Sequence, residues 1–232
     1  MMDHKHARLQ KRARAMLALS AVLLVLFAAL IVVLKTVDVQ PVGPNGSLIG
    51  LSALNLRVHQ RTGLQMSWYH ITDHLGKICI LIAPCFALLG LYQLIRRKSL
   101  NRVDADLWAL AGLYVLLGAA YVLFEKVIIN YRPVLLPGET ELAASFPSSH
   151  TMLAVCLVSS ALVQADRRIA NQKVLFLLDV LGVLLMLVMS VGRLASGVHW
   201  LTDVVGGVLL GAALTAAYAG AVALLDAARA ER

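Results

Sequence analysis

Three short stretches of the sequence gather residue types that can do chemistry on an anion. Lys126-Val-Ile-Ile-Asn-Tyr-Arg132-Pro133 carries two cations, and Pro147-Ser148-Ser149-His150 carries two hydroxyls and an imidazole. Between Gly192 and Asp203 come Arg193, a second imidazole at His199 and a carboxylate. Arg132 and Arg193 present planar forks that match phosphate oxygens bidentately. Ser148 and Ser149 would open a helix, where free N–H groups and the helix dipole favour an anion. His199 and Asp203 stand four apart, the spacing of side chains that share a helical face. Such a carboxylate orients an imidazole and stabilises its protonated form. His150 is then free to protonate a leaving oxygen.

Singly, each residue has an ordinary explanation. Cations at helix ends reach for the membrane interface, a serine caps a helix, and a lone histidine decorates a helix end. Together they specify phosphoryl transfer. No outward-facing cluster of Asp and Glu of metal-binding type accompanies them, which disfavours metal-assisted hydrolysis.

The elements that must position these residues are membrane spans. Of the 232 residues 59% are apolar and 15% charged, with a mean hydropathy of +0.78. A soluble domain sits near 45–50% apolar and about 25% charged, so an ordinary cytosolic enzyme and a disordered chain are both excluded. Spans of about 18–20 apolar residues cross a bilayer core roughly 30 Å thick. The sequence predicts six: Met16–Leu34, Ile78–Ile95, Leu107–Phe124, Ser148–Val163, Val174–Val191 and Trp200–Leu225. The expected fold is all-α, a polytopic six-helix transmembrane bundle forming a single membrane domain over residues 1–232.

The formal charge of +8 would suit nucleic acid, but the Lys and Arg residues lie at the ends of apolar blocks and set topology instead. With the N-terminus inside, fourteen of the 21 fall on inner segments, from Lys5 and Arg8 through Arg96, Arg97, Arg167 and Arg168 to Arg229 and Arg232. The positive-inside rule then makes both termini cytoplasmic. All three chemical stretches face the outer side, and no nucleic-acid partner is expected. The first span is followed by Lys35-Thr36-Val37-Asp38, with no small-residue cleavage site, and reads as a retained anchor.

Outside the spans, residues 36–76 form a connecting segment with turn chemistry at Pro41, Gly43, Pro44, Asn45 and Gly46. Trp68 and Tyr69 are expected as interfacial anchors. Cys79, Cys85 and Cys156 sit in apolar stretches and read as small core residues. Gly207 and Gly211 permit close packing of the last span. Asp179, in mid-span, is a functional candidate by default, weighed against a hydrogen-bonded structural role.

These residues resemble the type 2 phosphatidic acid phosphatase superfamily, membrane lipid phosphatases related to vanadium haloperoxidases. The family pattern is Lys-x6-Arg-Pro, then Pro-Ser-Gly-His, then Ser-Arg-x5-His-x3-Asp. Arg193, His199 and Asp203 match the third motif in spacing, and the resemblance covers roughly residues 126–203. The chain departs from the pattern in three places. Ser149 replaces a glycine, Gly192 replaces a serine, and only five residues separate Lys126 from Arg132, so strict spacing puts Glu125 in the lysine's place.

The resemblance implies that His199 attacks phosphorus, that Asp203 orients it, and that His150 serves as acid and then base. It implies that Arg132, Arg193, Ser148, Ser149 and Lys126 bind phosphate, and that neither a metal nor a cofactor is needed. The implied substrate is a lipid phosphate or diphosphate met at the outer leaflet of a bacterial cytoplasmic membrane. Two other readings stand beside it. One is a phosphotransferase using the same site. The other is a non-catalytic lipid-binding or transport protein, although the inverted repeats and paired broken helices of a transporter are not found.

Overall fold

The structure is a computed structural model and describes residues 2–136 and 138–231; Arg232, counted above among the inner cations, lies outside them. Its elements are helices: α1 (Met2–Thr36), α2 (Ser52–Thr62), α3 (Met66–Ile80), α4 (Ile82–Arg97), α5 (Ala105–Lys126), α6 (Ser149–Arg168), α7 (Gln172–Ala195) and α8 (Leu201–Ala230). Among the described residues there are no strands, only the isolated bridges Gln40–Ile49 and Tyr131–Ala144.

Five stretches are long and apolar enough to cross a membrane: Lys5–Thr36, Met66–Arg97, Ala105–Lys126, Gln172–Ala195 and Leu201–Ala230. The protein is an integral membrane protein. α6, expected as the fourth span, does not qualify on composition. It carries Thr151, Ser159, Ser160, Gln164 and Asp166, and it can do so because it packs among α3, α7 and α8 with nine of its residues buried.

The second span differs from its sequence boundaries. Its helical stretch begins at Met66 rather than Ile78, and it breaks between Ile80 and Ile82. Pro84 explains the break, since it brings no N–H and its ring crowds the carbonyl four residues back, that of Ile80. The twelve residues missed at the start include Trp68, Thr72, Asp73 and Lys77, too polar to extend an apolar run. The segment expected as a simple connection also contains α2. Its Asn55 is buried and binds the Gly50 carbonyl at 2.9 Å and the Thr202 hydroxyl at 3.0 Å, pinning α2 to the start of α8.

α8 is the central helix, with α1 along one side and α6 along another. Ser20, the polar residue of the first apolar block, is buried and donates to the Ala213 carbonyl at 2.8 Å. The Gly207/Gly211 pair is used within the chain. A Cβ on Gly207 would stand 2.7 Å from the Ser148 carbonyl oxygen, and one on Gly211 2.8 Å from that of Met152, so α6 lies backbone-close to α8.

At the end of the bundle away from the chemical stretches, Arg167 grips Asp226 at 2.5 and 3.0 Å and reaches Asp106 at 3.3 Å. Arg168 holds Asp106 at 2.9 Å. This clasp joins α5, α6 and α8. One minor expectation fails: Cys85 is exposed while Cys79 and Cys156 are buried. Asp179 is exposed on α7.

Candidate active site

The C-terminal end of α5, the N-terminal ends of α6 and α8 and the C-terminal end of α7 meet at one end of the bundle, because successive helices run in opposite directions. Arg132 follows α5 in a segment tied to residues 143–145, its N–H donating to the Ala143 carbonyl at 3.1 Å. His150 lies in the first turn of α6, Arg193 in the last turn of α7, and His199 in the connection to α8. The fold thus gathers Arg132, Ser149 and His199 around one pocket, together with Glu125, Ser145 and Phe146.

His199 is not on a helix, as its spacing to Asp203 suggested. It precedes Trp200, the N-cap of α8, and Asp203 folds back to accept the Trp200 N–H at 2.9 Å, as the third residue of a helix does in a capping box. Asp203 also accepts from Asn130 at 3.3 Å. The nearest acceptor to His199 Nδ1 is the Ser145 carbonyl at 3.2 Å, while Asp203 Oδ2 lies 3.7 Å away. A carbonyl accepts only, so Nδ1 carries the hydrogen and Nε2 keeps its lone pair. Burial, then the charges of Arg193 and Arg132, hold this imidazole well below its ordinary range, against a smaller opposing effect of the Ser145 carbonyl. The ring is neutral and its Nε2 is unpartnered.

Arg193 is buried with 1% of its surface exposed. Its guanidinium lies 5.1 Å from the centre of the Tyr69 ring, and Nη1 donates to the Thr72 hydroxyl at 3.3 Å. Arg132 has a carboxylate no nearer than Glu139, at 4.0 Å. Burying a cation without a close counter-charge is costly, so these two describe a place for an anion. The unpartnered atoms agree. Among the described residues, seven buried side-chain nitrogens and oxygens lack a hydrogen-bond partner, and five of them are here: Arg132 Nε, Ser145 Oγ, His150 Nδ1, Arg193 Nε and His199 Nε2.

A family model of the PAP2 superfamily matches residues 106–224, more than half the chain and all of the site except its α3 residues. This chain belongs to the PAP2 superfamily. Its fold also resembles the crystal structure described as the first transmembrane PAP2 type phosphatidylglycerolphosphate phosphatase, from Bacillus subtilis. That match has 19% identity and a TM-score of 0.58, and covers 84% of this chain and 92% of the other. No curated protein matches.

Within the PAP2 pattern, the three departures have visible settings. Gly192, where the family has serine, packs against α3: a Cβ would stand 2.6 Å from Thr72 Cγ2 and 3.0 Å from Trp68 Cε3. Thr72 brings a hydroxyl to Arg193 in the same place. Ser149, where the family has glycine, lines the pocket. Lys126 is exposed and does not line it, whereas Glu125 does. Ser148 is fully buried and does not line the pocket; its N–H donates to the Asp203 carbonyl at 2.8 Å and its hydroxyl accepts from Thr151 at 3.1 Å.

Five residues of this environment escaped the motif reading: Tyr69, Thr72, Asp73, Asn130 and Ser145. The first three had a signal. Tyr69, Thr72, Asp73 and Gly76 recur at helical spacing, which puts polar and small residues along one face of α3. Asn130 and Ser145 lie in irregular segments and carried none.

Proposed function

We propose that this PAP2 protein is an integral-membrane phosphatase that hydrolyses a lipid phosphate or diphosphate at the outer leaflet through a phosphohistidine. The observation that carries the reading is the set of five unpartnered buried atoms, four of them nitrogens of two arginines and two histidines. A tetrahedral phosphate offers each an oxygen or the phosphorus itself.

In this mechanism Arg132, Arg193 and Ser149 hold the phosphate oxygens, with Ser148 behind them. Nε2 of His199 attacks phosphorus, a P–N bond forms, and the P–O bond to the lipid breaks. A protonated His150 gives its proton to the departing alkoxide. His150, now neutral, takes a proton from water as that water attacks phosphorus; the P–N bond breaks and phosphate leaves. Asp203 and the Ser145 carbonyl stabilise the charge on the His199 ring. Charge develops on oxygens facing fixed donors, the arrangement that lowers barriers most. Every step in this reading is carried by the chain's own side chains, without a metal.

α6 crosses the bilayer with the five apolar stretches, shielded by its neighbours, and the cation bias places both termini in the cytoplasm. The outward face gives the pocket access to the outer leaflet. The test is phosphate release by the detergent-purified chain from phosphatidic acid, phosphatidylglycerol phosphate and a polyprenyl diphosphate, with EDTA present. Turnover should persist. Activity abolished by chelator and restored by magnesium would overturn the metal-free mechanism. For topology, a cysteine at Gly138 should react with an impermeant thiol reagent in intact cells and one at Asn171 should not; the reverse pattern would overturn outer-leaflet action.

A further inference from the structure

α3 meets the site at a carboxylate that lies outside every motif. Asp73 Oδ1 is 3.4 Å from Nε2 of His150. Its other oxygen is held by Lys77 Nζ, one turn along α3, at 2.8 Å. Gly76 stands between them on the same helical face, and its missing side chain is required there. A Cβ on Gly76 would lie 2.7 Å from His150 Cδ2 and 3.4 Å from Nε2. The Nε2 edge of the ring is therefore seated against α3, with the carboxylate at one side and bare backbone beneath. Nδ1, at the other edge, is buried and unpartnered.

An imidazole with one nitrogen beside a carboxylate keeps its hydrogen on that nitrogen, so the second proton is gained and lost at the other. The same ring lies within electrostatic reach of the Arg193 guanidinium from α7. A nearby cation opposes the imidazolium that an acid must be before it acts, and a carboxylate favours it. We propose that Asp73 is the positioning carboxylate of His150, fixing Nε2–H so that Nδ1 carries the proton for the leaving alkoxide and stabilising the imidazolium against the neighbouring Arg193. Lys77, itself largely exposed, holds the second oxygen of Asp73 and so keeps the first turned toward the ring.

This inference rests on the proposed role of His150 as the acid. The experiment separates the two. The full-length chain in detergent is assayed on dioctanoyl phosphatidic acid, whose alkoxide needs a proton to leave, and on 4-nitrophenyl phosphate, whose phenolate does not. General acid catalysis is typically worth about 10²–10⁴-fold. His150→Ala should show a loss of that order in kcat/KM on the lipid and a much smaller one on the aryl ester. That ratio reads the acid-dependent first step, whereas the loss of His150 as base slows the later release of phosphate equally for both. Asp73→Asn, similar in shape, should lose about 10–100-fold on the lipid, part of that same contribution, and little on the aryl ester. Asp73→Glu should recover part of the loss. In the His150→Ala background Asp73→Asn should add nothing, because its effect runs through the ring.

Equal losses on both substrates for Asp73→Asn, or losses that add in the double variant, would mean that Asp73 only supports the fold and would overturn the inference. Leaving-group dependence in His150→Ala without any in Asp73→Asn would overturn it while leaving the acid in place. No leaving-group dependence in His150→Ala would remove the acid assignment, and Asp73's role with it.

Discussion

The ring of His199 leans on the Ser145 carbonyl, 3.2 Å from Nδ1, and not on Asp203, whose Oδ2 is 3.7 Å away. Orientation and charge stabilisation are thereby divided between two groups. The carbonyl fixes which nitrogen carries the hydrogen. Asp203, occupied with the Trp200 N–H and the Asn130 amide, supplies negative charge near the ring and closes the first turn of α8.

That division predicts graded effects. His199→Ala should abolish acid-labile ³²P incorporation after a brief pulse with labelled substrate. Asp203→Asn should slow incorporation without abolishing it, because the Ser145 carbonyl still orients the ring. The same substitution leaves one oxygen where two accepted, so one buried donor loses its partner, at a cost of about 1–3 kcal/mol. A lowered thermal midpoint in detergent should accompany the slower labelling. Label appearing in His199→Ala would end the nucleophile assignment.

A second prediction concerns acid. His199 must be neutral to attack, and burial followed by the fields of Arg193 and Arg132 holds its pKa well below the ordinary 6.5. With the pKa lowered, the neutral form persists as pH falls. On 4-nitrophenyl phosphate, kcat/KM should therefore stay level through pH 6.5 and decline only in more acidic solution. Arg193→Gln removes the second of these causes, so its acid limb should move to higher pH. The pH profile of kcat/KM reads the free enzyme; an acid limb centred near 6.5 in the unmodified protein would contradict the neutral buried ring.

The helices that carry Arg193, His150 and Asp203 were legible because apolar runs and their basic ends declare themselves in one dimension. What the sequence hid was the start of the second span. Thr72 and Asp73 interrupt an apolar run for the same reason that they matter: they face a polar pocket rather than lipid. A hydropathy reading must discard such residues, since it registers their polarity but not the direction in which they point. Ser145 was hidden differently, because it acts on His199 through a backbone carbonyl, which every residue type possesses. The spacing of His199 and Asp203 was read correctly as proximity but for the wrong reason, since the chain turns at Trp200 and the carboxylate comes back as a cap.

The packing at Gly192 makes a third prediction. Restoring the family's serine with Gly192→Ser drives a Cβ toward Thr72 Cγ2 and Trp68, and overpacking of this kind costs about 1–3 kcal/mol. The single variant should melt earlier and lose activity as Arg193, the next residue, is displaced. Thr72→Ser removes the offending methyl and keeps the hydroxyl beside Arg193. Combined with Gly192→Ser it should recover part of the stability, a non-additivity expected only of residues in contact. Independent, additive effects would show that the close approach of α3 to α7 is not what excludes a side chain at 192.

The last prediction sets Lys126 against Arg132. Spacing alone offered Lys126 as a phosphate ligand, but its side chain is exposed and it is Glu125 that lines the pocket with Arg132. Surface substitutions away from specific contacts are usually worth within about 0.5 kcal/mol, so Lys126→Ala should change kcat/KM by no more than about twofold. Arg132 lacks a close counter-ion, and its Nε is buried without a partner. Hydrogen bonds to charged groups contribute about 1.5–3 kcal/mol, so Arg132→Ala should cost roughly 10–150-fold in kcat/KM. Glu125→Gln, which removes a negative charge from the pocket wall, should lower KM for a phosphate dianion. The three variants assayed on one lipid phosphate decide the matter: a loss in Lys126→Ala comparable with that in Arg132→Ala would return the lysine to the site.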